Sequence, residues 1–214
     1  EMASIGMPVP PGFTISTEVC DYFWKNDKKY PAELAADVDE YLGKLEAAMG
    51  KKLGDANDPL LVSVRSGAAV SMPGMMDTIL NLGLNDESVK SLAAKTQNER
   101  FAWDAYRRFI QMFGDVAMGV PHDEFERAIE SVKEAKGIGA DTDMTADDLK
   151  NLVAKYKEIY KKHTGSDFPQ DAKKQMWGAI DAVFSSWMNS RAIKYRELNE
   201  IKGLKGTAVT VMAM

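Results

Sequence analysis

The chain has 214 residues, of which 45% are hydrophobic and 28% are charged, and its formal net charge is −5. This balance is typical of a globular protein and argues against nucleic-acid and membrane-surface binders, which carry basic patches. No apolar run reaches the ~20 residues that a membrane span requires. Cys20 is the only cysteine, which excludes an internal disulfide and favours a reducing compartment. We expect a cytoplasmic protein, or one from a plastid or another organelle if the source is eukaryotic.

The first 66 residues contain signals for a turn, two helices and one strand. Pro8 to Gly12 predicts an extended turn, and the short helix that follows ends near Asn26. A longer helix is predicted between Pro31 and Gly50, because proline suits a first helical turn and glycine suits a helix end. The apolar run from Leu60 to Ser66 is predicted as a strand, with Arg65 near its end.

Helical periodicity dominates the chain from Asp86 onward. The helices predicted here all carry apolar residues at three- and four-residue spacing. They run from Asp86 to about Lys95, from Glu99 to Met118, from Pro121 to about Gly137 and from Thr145 to Gly165, and two more begin at Pro169 and at Ser190. A final strand is predicted to begin near Thr207. Strands near both ends of the chain, with helices between them, predict an α+β fold with a mostly helical inserted segment.

The numbers of cysteine and histidine residues limit which metal sites the chain can form. One cysteine and two histidines, His122 and His163, are too few for a zinc site of the Cys/His type. Neither the phosphate-binding pattern G-x-x-x-x-G-K-[ST] nor the dinucleotide-binding pattern G-x-G-x-x-G occurs. We therefore predict no metal ligands within this sequence.

The stretch "LLVSVRSGAAVSMPGMMDTILNLGL" is unusually small, apolar and poor in charge. Arg65 offers a planar guanidinium that suits a pair of phosphate oxygens. Gly74, after a proline, favours a tight turn with positive φ. Met75 and Met76 offer polarizable surface for a flat base, and Thr78 adds a hydroxyl. These residues fit a nucleoside triphosphate, and a buried loop with a structural arginine is the alternative interpretation.

Several longer motifs resemble the pyruvate, phosphate dikinase family. They are "GMPVPPGFTIST", "SVRSGAAVSMPGMMDTILNLGLND", "ERFAWDAYRRFIQMFGDV", "MGVPHDEFE" and "KGLKGTAVTV". The resemblance covers nearly the whole chain and implies an incomplete ATP-grasp-like nucleotide-binding region. It divides the chain into an ATP-grasp subdomain at 1–97 and 191–214, which contains the phosphate-binding strand and loop, and a helical subdomain at 98–190. The first and last residues predict that the chain is part of a longer protein.

The resemblance also assigns site residues. In the family, the arginine after the strand contacts the ATP phosphates, which matches Arg65, so we expect Arg65 to be both catalytic and nucleotide-binding. The glycine and threonine of the loop contact nucleotide in the family, and they match Gly74 and Thr78. Met75, Met76 and Asp77 lie in the same loop and are expected to line the nucleotide site.

The resemblance implies a phosphotransferase that converts ATP, phosphate and pyruvate into AMP, pyrophosphate and phosphoenolpyruvate. The expected partners are ATP, phosphate and a swivelling phosphohistidine domain of the same enzyme, and the full enzyme is expected to be a homo-oligomer. Mg²⁺ is the expected cofactor, with its ligands outside this chain. Two alternatives stay open: a stand-alone nucleotide-binding or regulatory module without catalysis, and part of a phosphoenolpyruvate synthase.

Overall fold

Six strands and eight α-helices occur in residues 5–214, which are the residues that a computed structural model of the protein describes. The strands are β1 (Gly12–Ile15), β2 (Lys52–Leu53), β3 (Pro59–Leu60), β4 (Val62–Gly67), β5 (Thr78–Leu82) and β6 (Ala208–Ala213). The helices are α1 (Thr17–Lys25), α2 (Leu34–Met49), α3 (Ser88–Thr96), α4 (Glu99–Met112), α5 (His122–Lys136), α6 (Ala146–Thr164), α7 (Ala172–Ser186) and α8 (Ser190–Leu198). None of these helices is both long and apolar enough to cross a membrane.

Four strands form an antiparallel sheet in the order β1–β6–β4–β5. The two strands from the start and end of the described chain, β1 and β6, are therefore neighbours. The short strands β2 and β3 form a separate parallel pair. The sheet thus brings the first and last described strands together and places β4, which carries Arg65, between β5 and β6.

The sheet buries one face against helices. Side chains alternate between faces along a strand, and the apolar set on β4 and β6, Val62, Val64, Val209 and Val211, is fully buried. Helix α7 packs against β4, β5 and β6, while α4 packs against β5. Arg65 is exposed, as its alternation with Val64 predicts. The helices therefore cover one side of the sheet and leave the arginine on the other.

Helices and loops alone connect residues 99 and 190. Helix α6 packs against α4 and α5, and its N-terminus, which the sequence predicts at Thr145, has a capping box formed by Thr145 and Asp148. The buried apolar residues of these helices and of the sheet form one continuous core. The division into subdomains at 97/98 and 190/191 stays a prediction.

One prediction in the sheet is wrong, because the stretch after Arg65 is not loop throughout and Thr78–Leu82 forms β5. The turn predicted for Pro8 to Gly12 is followed by a strand that is not predicted, β1, which begins at Gly12. Both strands are too short to show a clear alternation. Their pairing with distant strands determines their conformation.

Predictions at two helices also need correction. Asp86 does not cap α3; the Asn85 side chain instead accepts hydrogen bonds from the amides of Glu87 and Ser88, at 3.0 and 2.8 Å. The Asp86 carboxylate accepts a hydrogen bond from the hydroxyl of Tyr106 and pairs with a lysine of α6. The helix predicted over 99–118 is α-helical only to Met112 and continues as one π-turn to Ala117.

Candidate functional site

One residue from each strand of the four-stranded sheet lies in a row across the face opposite the helices. Thr14 pairs with Thr210, Thr210 pairs with Arg65, and Arg65 pairs with Thr78. Directly paired residues of neighbouring strands point to the same face. The Thr14 and Thr210 hydroxyl oxygens lie 3.0 Å apart. The register therefore places a guanidinium among three hydroxyl groups on one exposed or half-buried surface.

Arg65 has no carboxylate partner among residues 5–214. Its Nε donates a hydrogen bond to the Ser63 hydroxyl at 3.2 Å, and its side chain is exposed. By contrast, Arg107, Arg108 and Arg191 each pair with an aspartate. The two terminal nitrogens of the Arg65 fork are thus free to bind a bidentate oxygen anion.

The loop between β4 and β5 contains a tight turn with glycine in a left-handed conformation. The Met75 amide donates to the Met72 carbonyl at 3.1 Å, and Gly74 has φ +71°. Proline at the second position and glycine at the third are the residues of a type II turn. A Cβ on Gly74 would meet no atom within 4 Å, so its backbone conformation, and not close packing, favours glycine. The predicted turn at Pro73–Gly74 is confirmed.

The methionines of this loop are buried or half-buried, so they expose less surface than an open stacking platform for a nucleotide base would. Met72 is buried in the core at 6% exposure, and Met75 and Met76 are half-buried against the same core. Val70 is the exposed apolar residue of the loop, at 41%. The loop is therefore anchored through its methionines, while residues on either side of Met72 face outward.

Asp77 lies at the end of the loop and is held by the end of α7 and the start of α8. Its carboxylate pairs with the guanidinium of Arg191, and its amide donates to the Ser186 hydroxyl at 3.3 Å. Burial raises the pKa of the Asp77 carboxyl; Arg191 partly offsets this rise, and the nearby charge of Asp115 adds to it. Asp77 is thus bound to the helical side of the sheet, whereas its neighbour Thr78 lies in the row with Arg65.

The comparisons with known proteins identify the family. The family model described as "Pyruvate phosphate dikinase, AMP/ATP-binding domain" matches residues 26–214. The chain belongs to this family. Its mixed α/β architecture is therefore that of an ATP-grasp-like nucleotide-binding region, and the predicted fold class and family are confirmed.

Curated relatives of the family match the chain over its full length. The chain is 56% identical over 214 residues to "Pyruvate, phosphate dikinase 1, chloroplastic" of Arabidopsis thaliana, and 58% identical to the protein of that name from Oryza sativa subsp. japonica. It is 55% identical over 215 residues to "Pyruvate, phosphate dikinase" of Clostridium symbiosum. All of this chain is covered in each case, but only 22%, 22% and 25% of the respective relatives.

Within this domain, the structure brings together only part of the predicted site. Arg65 and Thr78 are directly opposite each other, and Gly74 forms the turn between them. Thr14 and Thr210 complete the row, although the sequence analysis did not select them. The alternation in "AVTVMA" indicates that Thr210 faces away from two valines, but a single sequence does not reveal which strands pair.

Side chains that could bind a metal ion do not cluster in the described part of this domain. No cluster of three or more His, Cys, Asp or Glu side chains there could hold a metal ion. The only acidic residue in the loop, Asp77, already pairs with Arg191. The described residues around Arg65 thus offer a positive charge and hydroxyl groups, without a cluster of acidic, histidine or cysteine side chains.

Proposed function

We propose that this chain forms the ATP-binding part of an enzyme that transfers the β,γ-pyrophosphoryl group of ATP to a carrier histidine on another domain. The overall reaction would convert ATP, phosphate and pyruvate into AMP, pyrophosphate and phosphoenolpyruvate. The observation that carries the proposal is the Arg65 guanidinium, which has no carboxylate partner among the described residues and lies in a row of hydroxyl groups. Membership of the AMP/ATP-binding domain family supports the same function.

Arg65 would bind two phosphate oxygens with its terminal nitrogens. A hydrogen bond to a charged group contributes about 1.5–3 kcal/mol, and more in transfer if the oxygens gain charge. The Thr78 hydroxyl, directly opposite on β5, would donate to a third oxygen. The Gly74 turn would bring the loop backbone close to the ligand, and the exposed parts of the half-buried Met75 and Met76 would contact the base.

Transfer requires a nucleophile that the Arg65 row does not contain. A histidine nitrogen would attack the β-phosphorus, the bond from that phosphorus to the oxygen of the α-phosphate would break, and AMP would leave. The row would stabilise the charge on the departing and transferred oxygens. Mg²⁺ would further neutralise the triphosphate, but the residues around Arg65 do not fit as its ligands, so we place these ligands elsewhere in the full-length enzyme.

The expected partners and location belong to the same proposal. Phosphate is the second substrate, and the carrier histidine lies on a swivelling domain of the same homo-oligomeric enzyme. We propose a cytoplasmic enzyme, or a plastid enzyme if the source is a plant, since the names of the Arabidopsis and Oryza relatives describe chloroplastic proteins.

Label transfer tests this function in the full-length natural protein. ATP labelled at the β- or the γ-phosphate is incubated without phosphate or pyruvate. We expect both labels to become bound to the protein while AMP is released in equal amount. ATP binding with no bound label would support a nucleotide-binding module instead. In the complete reaction, formation of phosphoenolpyruvate that does not require added phosphate would support a phosphoenolpyruvate synthase.

A further inference from the structure

We propose that Arg191 is a positioning residue that holds the nucleotide-binding loop through Asp77 and so links the start of helix α8 to the ATP site. The inference rests on the proposed function, because it assigns a role toward ATP. It concerns two residues outside the row that contains Arg65. Neither residue needs to touch the nucleotide for this role.

The ion pair between Arg191 and Asp77 joins segments that are 114 residues apart in the sequence. The Asp77 side chain is only 16% exposed, while that of Arg191 is 57% exposed. A carboxylate in such a half-buried place needs a compensating charge or hydrogen bonds. Arg191 supplies the charge, so removing it would favour movement of Asp77 toward water.

Two further contacts join the same segments. The side-chain amide of Asn189 donates to the Met75 carbonyl at 3.2 Å, and its oxygen caps α8 by accepting from the Ala192 amide at 2.7 Å. The Ser186 hydroxyl donates to the Val183 carbonyl at 2.7 Å and accepts from the Asp77 amide. The end of α7 and the start of α8 therefore hold the loop at Met75 and at Asp77.

The position of these contacts connects them to the site. Asp77 is followed directly by Thr78, which lies opposite Arg65 in the sheet. At the other end of the loop, the Gly67 amide donates to the Thr207 hydroxyl at 3.2 Å. Residues 68–74 thus lie between two anchors, and loss of the Asp77 anchor would free the loop next to a proposed phosphate ligand.

A double-mutant cycle in the full-length protein tests the inference. The variants are Arg191→Ala, Asp77→Asn and the double variant, with Lys194→Ala as the matched control. Lys194 lies on the same helix, is exposed and, among residues 5–214, pairs with Glu197 alone. ATP affinity is measured by calorimetry, and amide hydrogen exchange of residues 72–82 is measured without nucleotide.

We expect each single variant to weaken ATP binding by about fivefold, as for a partly exposed ion pair worth about 1 kcal/mol. The double variant should bind ATP no more weakly than either single variant, because both substitutions remove the same ion pair. Exchange of residues 72–82 should increase in Arg191→Ala and stay unchanged in Lys194→Ala.

Unchanged exchange and unchanged ATP affinity in Arg191→Ala would overturn the inference, and so would losses in affinity that multiply in the double variant. Failure of the proposed function has a different signature, since the wild-type protein would then take up no label from ATP in the transfer assay. If the wild-type protein also binds no ATP, the exchange measurement alone decides whether Arg191 holds the loop.

Discussion

Arg65 differs from most arginines of this chain in having no anionic neighbour among the described residues. Its Nε reaches only the Ser63 hydroxyl, and the residues that pair with it across the sheet are Thr210 and Thr78. A hydroxyl is too weak an acceptor to neutralise a guanidinium, so the charge stays available to a ligand. The hydroxyls can serve the same ligand as donors.

Thr78→Val removes one of these donors and keeps the branched shape that suits a strand. A hydrogen bond to a charged phosphate oxygen contributes about 1.5–3 kcal/mol, so ATP affinity of the full-length protein should fall by about ten- to a hundredfold. Thr142→Val is the control because Thr142 is exposed and lies outside the row. Calorimetry that shows the same affinity for wild type and Thr78→Val would exclude Thr78 as a ligand.

The ends of helix α6 show how single side chains define an element. Thr145 and Asp148 satisfy each other's backbone amides, and Gly165 ends the helix with a left-handed conformation. The Asp148 side chain is 1% exposed and pairs with Lys136 of α5. This one carboxylate therefore caps α6 and also ties it to its neighbour.

The capping carboxylate should make stability depend on pH. The ion pair with Lys136 and the hydrogen bonds from Thr145 lower the pKa of Asp148 from its ordinary value of 3.8 to about 2. A lowered pKa stabilises the fold above the pKa of the unfolded chain, and this contribution is lost as the pH falls from about 4 toward 2. Asp148→Asn should thus reduce the free energy of unfolding by about 1–2 kcal/mol at pH 7, since the shift allows ~1.4 kcal/mol per unit and Lys136 is partly exposed.

Chemical denaturation of wild type and Asp148→Asn between pH 7 and pH 3 checks this prediction. The difference between the two proteins should decrease below about pH 4. A difference that is constant over this range would mean that Asp148 acts through packing and not through its charge.

Two helix glycines should respond in opposite ways to the same change. A Cβ on Gly178 of α7 would lie 2.9 Å from the Phe113 ring, whereas one on Gly43 of α2 would meet no atom within 4 Å. Gly178→Ala should destabilise the fold by about 1–3 kcal/mol through overpacking. Gly43→Ala should stabilise it by about 0.5–1 kcal/mol, since alanine is the better helix former. Denaturation midpoints that shift in the same direction for both variants would contradict the packing described here.

At the scale of the whole molecule, the sheet joins the two ends of the described chain to strands β4 and β5. Thr14 and Thr210 are 196 residues apart in the sequence and yet are neighbours in the row. All eight helices of the described residues lie between these ends in the sequence, and α1, α2, α4 and α7 pack against the sheet. The proposed ligand row therefore depends on correct packing of distant segments.

Sequence reasoning predicted the local features of this arrangement. The start of α6 at Thr145, the turn at Gly74 and the strand that carries Arg65 follow from nearby residues alone. The strand β5 and the pair between Arg191 and Asp77 could not be predicted in this way. Both depend on contacts between segments that are separated in the sequence, and short strands with mixed residues have no local pattern that reveals their partners.

The isolated 214-residue chain should form no phosphoenolpyruvate from ATP, phosphate and pyruvate. It spans only 22–25% of the length of the curated relatives reported above, and the row contains no nucleophile for the transfer. We also expect it to bind ATP more weakly than the full-length protein does. A coupled assay that detects phosphoenolpyruvate made by this chain alone would contradict the proposal that the carrier histidine and the pyruvate site lie outside it.

Replacement of Arg65 in the full-length enzyme tests the central claim most directly. The assay follows transfer from labelled ATP to the protein and, separately, transfer from labelled phosphoenolpyruvate. Loss of a charge-assisted contact that strengthens during transfer should slow the ATP reaction of Arg65→Ala by about ten- to a thousandfold. Arg65→Lys should recover only part of the rate, since a lysine cannot hold two oxygens in a fork. The phosphoenolpyruvate reaction should be nearly unchanged. A normally folded Arg65→Ala enzyme that transfers from ATP at the wild-type rate would show that Arg65 is structural.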